Sequence, residues 1–326
     1  MTEMRQNDYT VNFEKAEHLL DALSRRNSRW EGLSKNWIFR GHADASWELL
    51  PAVLRTPCPL THHPRREKTP YKTMKHQVEQ EVDAVLSFIS KADYYGLPIP
   101  GDAATVLRLM KRDRFEISEK MNELEQFPSE ETLEAYALAQ HHSVPTRLLD
   151  WSRNPLVAAY FAAVGAAEAM EKRKPAERLG VWCFCRMVIP YLDQSQNDKI
   201  RIVSPPRALN KNLMAQNGIF SIHIHKLNSA EPPKITPFDQ LVYQLCPEEK
   251  LFWCCGGRDL GPIQLFTLPT SQARLLLKLL AEEDVSAATL FPGYDGIVRS
   301  LHEAKYLWQS WRSPPETGLP PLEKND

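Results

Sequence analysis

The chain has 326 residues, 43% of them hydrophobic and 25% charged, which is the make-up of an ordinary globular protein with enough apolar mass for a sizeable core. A net charge of −1 excludes a global attraction to nucleic acid or to anionic lipid. The opening MTEMRQNDYT lacks the apolar stretch of a secretory signal, and the longest apolar run, Pro155 to Ala167, is shorter than the roughly 20 residues that span a bilayer. A cytoplasmic protein with no membrane partner is therefore expected. The six cysteines, Cys58, Cys183, Cys185, Cys246, Cys254 and Cys255, form no CxxC pair and no metal-type spacing, so they read as reduced thiols and no metal is expected.

In chain order, apolar residues at Phe13, Ala16, Leu19, Leu20 and Leu23 keep a helical spacing and predict a short amphipathic helix within a lead-in over 1–36. Trp37 to Gly41 predicts a strand that ends with Arg40 where side chains commonly face a cleft. Pro51 to Thr69, rich in Pro, His and basic residues, reads as a long exposed loop. Helical patterning returns from Met74 to Ile89, where Glu81 has two readings, a surface residue or one aimed into a site. Further helices are expected at about 103–111, 115–124 and 130–141. The last of these delivers Gln140 and His141 to a polar segment, His141 to Arg153, read as a loop.

The stretch from Leu138 to Gly165 gathers the most unusual chemistry. Ser152 or Asn154 can cap a helix whose first turn accepts Pro155, because the missing N–H of proline is not needed there. From Leu156 to Ala169 only Tyr160 and Glu168 carry polar side-chain atoms, and a helix apolar on all sides is normally buried. Arg147 and Asp150 have a structural reading, mutual neutralisation, and a functional one supported by their neighbours Gln140, His141, Thr146 and Trp151. Spacing leaves open whether Asp150 faces Arg147 or Arg40.

Beyond this helix, Leu179 to Val188 predicts a core strand with Cys183 and Cys185 on one face. Asn217-Gly218 predicts a turn into a strand that carries His223 and His225 on one side, with no third ligand at zinc spacing. A strand at 262–268, an amphipathic helix at 271–283 and a final helix to about Leu307 follow. The Pro-rich charged tail, 308–326, is expected to be disordered. Helical blocks early and strands late give an α+β fold around one mixed or antiparallel sheet, with a helical N-terminal half.

Four blocks, in order, resemble the FRG domain family: Phe39-Arg40-Gly41 with Trp47, Leu49, Pro51 and Arg55 behind it; the central AQHHSVPTRLLDWSRNPLVAAYFAA; Gln216-Asn217-Gly218-Ile219-Phe220 with Arg207 upstream; and Leu290-Phe-Pro-Gly-Tyr-Asp-Gly. His42 and His142 depart from the family, which often has Gln and an aromatic residue at these positions. The resemblance implies that residues 37–307 form one FRG domain. More distantly, the arrangement is similar to ADP-ribosyltransferase-like folds, which also put an Arg-Gly or His-Gly at the end of an early strand. That likeness implies NAD as a substrate, Arg40 on its pyrophosphate or ribose, Thr146 shaping the site, and an acid, Asp295 or Glu81, steadying an oxocarbenium-like ribose.

The candidate set is thus Arg40, His141, Thr146, Asp150 and Asp295 for chemistry, with Trp47, Arg55, Gln140, Arg147, Trp151, Arg207 and Gln216 for ligand binding. If they converge, guanidinium forks outnumber carboxylates and an anionic small molecule or nucleotide follows, with Trp47 or Trp151 stacking on a flat ring. Three readings stand at this point. One is an NAD- or nucleotide-processing transferase or glycohydrolase of a bacterial toxin or phage-defence type. Another is a non-catalytic nucleotide- or peptide-binding module, which leaves room for a protein partner. The third is a buried polar network that only fixes packing.

Overall fold

The structure, a computed structural model, describes residues 9–30, 32, 34–55, 74–100, 102–119, 127–128, 130–192, 198–204, 210–225, 235–246 and 261–308. Along the chain run β1 (Thr10–Asn12), α1 (Ala16–Leu23), β2 (Trp37–His42), α2 (Met74–Tyr94), α3 (Ala103–Glu119), α4 (Leu133–His141), β3 (Leu148–Ser152), α5 (Pro155–Glu171) and β4 (Arg178–Cys185). Then come β5 (Asp198–Val203), α6 (Lys211–Ala215), β6 (Gly218–His225), α7 (Phe238–Leu245), β7 (Ile263–Pro269), α8 (Ala273–Glu282), α9 (Ala287–Leu290) and α10 (Tyr294–Trp308). The strands form one sheet in the order β1-β7-β4-β2-β3-β6-β5, antiparallel throughout except for the parallel edge pair β1–β7. The one mixed sheet matches the expected architecture, whereas the helices are not confined to the N-terminal half, since α6 to α10 all follow β5; β1, inside the lead-in, completes one edge of the sheet.

Several local readings need correction. The segment Leu148 to Ser152 is a strand near the middle of the sheet, where a loop was expected; each of its residues pairs with β6. The two helices expected between 103 and 124 are one helix over the described part, Ala103–Glu119. The strand from Leu179 stops at Cys185, and residues Arg186–Tyr191 turn into a 3-10 helix around Pro190. Arg207, Cys58, Cys254, Cys255, most of the loop expected to Thr69 and the tail from 309 lie outside the described residues.

The helix α5 sets the site because it lies directly on the sheet. Asn154 caps it by accepting from the Leu156 N–H at 3.1 Å, and Pro155 fills its first turn. Ala158, Ala159, Ala162 and Ala163 are buried, so the backbone approaches closely. At Gly41 a Cβ would stand 2.0 Å from the carbonyl oxygen of Ala158 and 2.6 Å from the amide nitrogen of Ala162, so only glycine lets β2 touch this helix.

Face assignment then follows from register. Phe39 pairs with Ser152 and shares a face with Gly41, so Ser152 and Asp150 lie on the α5 side of the sheet. Leu148, two residues further, joins a separate core with Val78, Val82 and Val85 of α2, Ala139 of α4, and Phe220 and Ile222 of β6. The helices α2 to α4 thus cover one end of this face while α5 covers the other. Trp151 points the opposite way and packs on Phe184 and on Phe238 of α7.

Candidate functional site

Between the C-terminal end of α4 and the start of α5 the face is left open, and a cavity of about 380 Å³ opens there. Its lining includes Arg40 and Gly41 from β2, Gln140 and His141 from α4, Asp150 to Ser152 from β3, Phe161 from α5, Gln216, Phe291 and Arg299. A second, small hollow of about 50 Å³ shares His141, Asp150 and Gln216 with it and is also lined by Asn210 and Leu213. Five of the residues expected at a site, Arg40, Gln140, His141, Asp150 and Gln216, therefore converge from four separate segments, and Trp151 contributes to the wall.

The strands β2 and β3 share one bridged pair, Phe39 with Ser152, and the guanidinium of Arg40 spans the gap beyond it. Its Nη1 donates to the backbone carbonyl of Asp150 at 2.8 Å and lies 3.4 Å from Asp150 Oδ2. Asp150 faces Arg40, and its side chain is 56% exposed against 15% for Arg40. Arg55 is a second cation nearby: its guanidinium is easier to deprotonate than usual, through partial desolvation first and the charge of Arg40 next, with Asp150 opposing. Arg55 itself is anchored by Nε donating to the Leu50 carbonyl at 3.1 Å. Asp150 bonds Arg40 and acts on Arg55, which stands outside the cavity lining, only through its charge, which leaves donors and positive charge for a ligand.

Arg147 is built differently. Its Nε and Nη2 donate to Oε2 and Oε1 of Glu81 at 2.7 and 3.0 Å, with the Phe127 ring 4.6 Å from the guanidinium carbon. The two side chains are 2% and 0% exposed. Arg147 does not line the cavity, and Glu81 is neither a surface residue nor a site acid. Of the two partners left open for Asp150, the structure gives Arg40, and Arg147 pairs with Glu81 instead.

Thr146 is fully buried and also stands outside the lining; its hydroxyl donates to Gln140 Oε1 and accepts from the Leu148 N–H. Gln140 Nε2 in turn donates to the Leu148 carbonyl at 3.1 Å, so the turn before β3 locks this side chain at the cavity edge. His141 is tied by Asn212 at 2.6 Å, and desolvation, then His142, lowers the pKa of its imidazole, which favours the neutral form. Gln216 is fixed by Nε2 donating to the Leu290 carbonyl at 3.2 Å, and its backbone carbonyl accepts from the Ser152 hydroxyl.

The aromatic expectation changes as well. Trp151 is 3% exposed and its indole N–H donates to Ser221 at 2.8 Å, so its ring faces are used by the core. Trp47 is half exposed beside His42, outside the cavity lining. Besides the buried Phe39 and Trp151, the rings lining the cavity include Phe161 and Phe291, edge to face at 6.1 Å, with the guanidinium of Arg299 4.1 Å over Phe291. Phe161 and Arg299 were not singled out from sequence; their signal is helical spacing, which puts Phe161 one turn beyond Val157 and Arg299 one turn beyond Asp295.

Asp295 faces a larger, more open hollow of about 500 Å³ between α5 and α10, and Arg299 borders both spaces. The charges there pair among themselves, Lys305 with Glu171 at 2.6 Å and Lys172 with Glu168 at 3.8 Å. The smaller cavity is the better candidate because two arginines, Arg40 and Arg299, line it. Among the described residues Asp150 is its single acidic lining group. No three His, Cys, Asp or Glu side chains among the described residues group as a metal site, and no described helix is long and apolar enough to cross a membrane.

Compared with known proteins, residues 103–171 match the family model of the FRG domain. The match spans α3, α4, β3 and α5, and so includes one wall and the floor of the cavity. No curated protein and no solved structure matches the chain.

Proposed function

Because the chain carries an FRG domain, we propose that its cavity binds a phosphorylated, nucleotide-like ligand, NAD or a related ADP-ribosyl compound, and processes it. The observation that carries this reading is the charge balance around Asp150: Arg40 and Arg55 draw on one half-exposed carboxylate, and Arg299 stands on another wall. A guanidinium fork suits phosphate oxygens, and Arg40 keeps donors that neither Asp150 nor the sheet uses. Phe161 and Phe291 offer apolar walls for a flat ring.

In this reading the pyridinium–ribose bond of NAD breaks with its electron pair going to the nicotinamide, which leaves neutral. The oxygen of a water, or of an acceptor hydroxyl, forms the new bond to the ribose carbon and loses its proton to bulk water, while His141, whose Nε2 is engaged by Asn212, holds the cavity edge. Asp150 steadies the positive charge that builds on the ribose, the role for which Asp295 and Glu81 are badly located. Gln140 and Gln216 orient the ligand, and Thr146 acts only by fixing Gln140. An ADP-ribosyltransferase-like or NAD-hydrolysing activity of this kind goes with a toxin or phage-defence role and with growth arrest on expression.

The test is nicotinamide release from NAD by the purified chain and by Arg40→Ala. Release by the parent that drops at least tenfold in the variant supports the reading, and equal release by both sinks it. A second reading, a binding module without chemistry, is favoured by Asp150 being already engaged by Arg40. It predicts that ADP-ribose binds while NAD stays intact.

A further inference from the structure

We propose that His42 is a positioning residue that holds the guanidinium of Arg40 in its ligand-binding orientation by accepting a hydrogen bond at Nε2. The inference rests on the reading of Arg40 as an anion contact and extends it to a residue outside the cavity lining. Arg40 Nε stands 3.2 Å from His42 Nε2, and His42 is 4% exposed, two residues along the same strand and on the same face. Arginine Nε–H is always a donor, so Nε2 must be the unprotonated nitrogen and the imidazole must be neutral.

The other ring nitrogen meets two groups. Nδ1 lies 3.4 Å from the indole Nε1 of Trp182, another obligatory donor, and the imidazole also bonds the backbone of Trp47. Nδ1 cannot carry a proton and accept one at once. The neutral tautomer with Nδ1–H directed at the Trp47 backbone satisfies the ring, and the long contact to Trp182 is then only a packing contact. A doubly protonated ring would confront Arg40 and Trp182 with N–H against N–H, beside the further charge of Arg55. Burial, Arg40 and Arg55 hold the His42 pKa well below its ordinary value of 6.5, in keeping with that geometry.

Arg40 is therefore gripped at two points, Nε by His42 and Nη1 by the Asp150 carbonyl and carboxylate, which fixes the plane of the fork and leaves Nη2 for a ligand. The charged groups around the imidazole are Arg40 on its own strand and Arg55 after the turn at Ala52–Leu54, with Asp150 compensating both arginines from β3. Gln at this position can accept through its side-chain carbonyl without gaining charge, whereas Leu cannot accept.

The experiment follows the Arg40 Nε–H directly, by proton–nitrogen NMR of the full chain, its signal identified by its loss in Arg40→Lys. Slow exchange with water is expected in the parent and in His42→Gln, and about tenfold faster exchange in His42→Leu. ADP-ribose affinity should fall about tenfold in His42→Leu and be largely kept in His42→Gln. Unchanged exchange and affinity in His42→Leu would overturn the proposal. If His42→Leu does not fold, acidifying the parent decides: protection of the Arg40 signal must vanish with the same midpoint at which the His42 ring titrates, and protection that outlasts that titration overturns it. A parent that fails to bind ADP-ribose yet shows the expected exchange pattern leaves the positioning role standing and removes the proposed function instead.

Discussion

Two arginine–carboxylate pairs flank the strand β3, and they are opposites. Arg147 and Glu81 meet through two short bonds with both side chains sealed from water, so the guanidinium has its charge matched and its ring partner in Phe127. Arg40 and Asp150 meet at 3.4 Å with the carboxylate mostly in solvent, and a second arginine competes for it. The first arrangement welds the helical layer α2 to the turn that opens β3. The second leaves part of a guanidinium fork free at the mouth of a cavity. Residue type alone does not separate a structural arginine from a ligand-binding one; the exposure of its partner does.

The sharpest break of the comparison is to remove one half of each pair. Glu81→Ala should destabilise by about 3–5 kcal/mol, because it strands a buried guanidinium, while Asp150→Ala should change stability by about 0–1 kcal/mol. Chemical denaturation of both variants reads the difference, and similar losses would mean the two pairs play the same part. Replacing Glu81 and Arg147 together by leucines should recover most of the loss, since the desolvation penalty goes with the charges.

Next in size is Gly41→Ala. Its added carbon runs into the backbone of α5, not into a flexible side chain, so a loss of about 1–3 kcal/mol or more is expected. Because α5 must shift to admit it, ligand binding should weaken as well, and a variant of parental stability would show that the helix does not rest on β2. Asn154→Ala, which removes the cap of the same helix, should cost about 1 kcal/mol by thermal melting and leave the cavity side chains in place.

The smallest effect is the pH dependence. The folded-state pKa of His42 is depressed below its unfolded value, so the unfolded chain binds the extra proton first. The contribution of His42 to stability is whole above about 6.5 and declines as pH falls below that value toward the folded pKa. His141, lowered in the same direction, adds to the slope. Subtracting the stability profile of His42→Gln from that of the parent should isolate a loss on acidification below about 6.5, and a flat difference would mean that His42 titrates as it does in the unfolded chain.

What could be read without coordinates divides along the same line between local and distant chemistry. Asn154 and Pro155 announce α5 because capping depends on neighbours in sequence, and the all-apolar run after them forces burial. The strand Leu148–Ser152 was hidden because its buried residues do not alternate: Leu148, Leu149, Trp151 and Ser152 are all covered, by helices on one side and by Phe184 and Phe238 on the other. Only its pairing with β6, some seventy residues on, defines it. The partner of Arg147 was likewise illegible, since Glu81 lies 66 residues away on a helix with several acids. The convergence of Arg40, Gln140, His141, Asp150 and Gln216 was legible as a grouping by motif, and Phe291 lies in the fourth block, whereas Arg299, brought in by α10, lies outside all four blocks.

Calorimetric titration of ADP-ribose into the parent chain and into Arg40→Ala addresses most directly the claim that Arg40 keeps donors for a ligand. Saturable binding by the parent, weakened about 30-fold in the variant with little change in its stability, is the predicted result. Equal affinity in both proteins, or no binding by a folded parent, would contradict it.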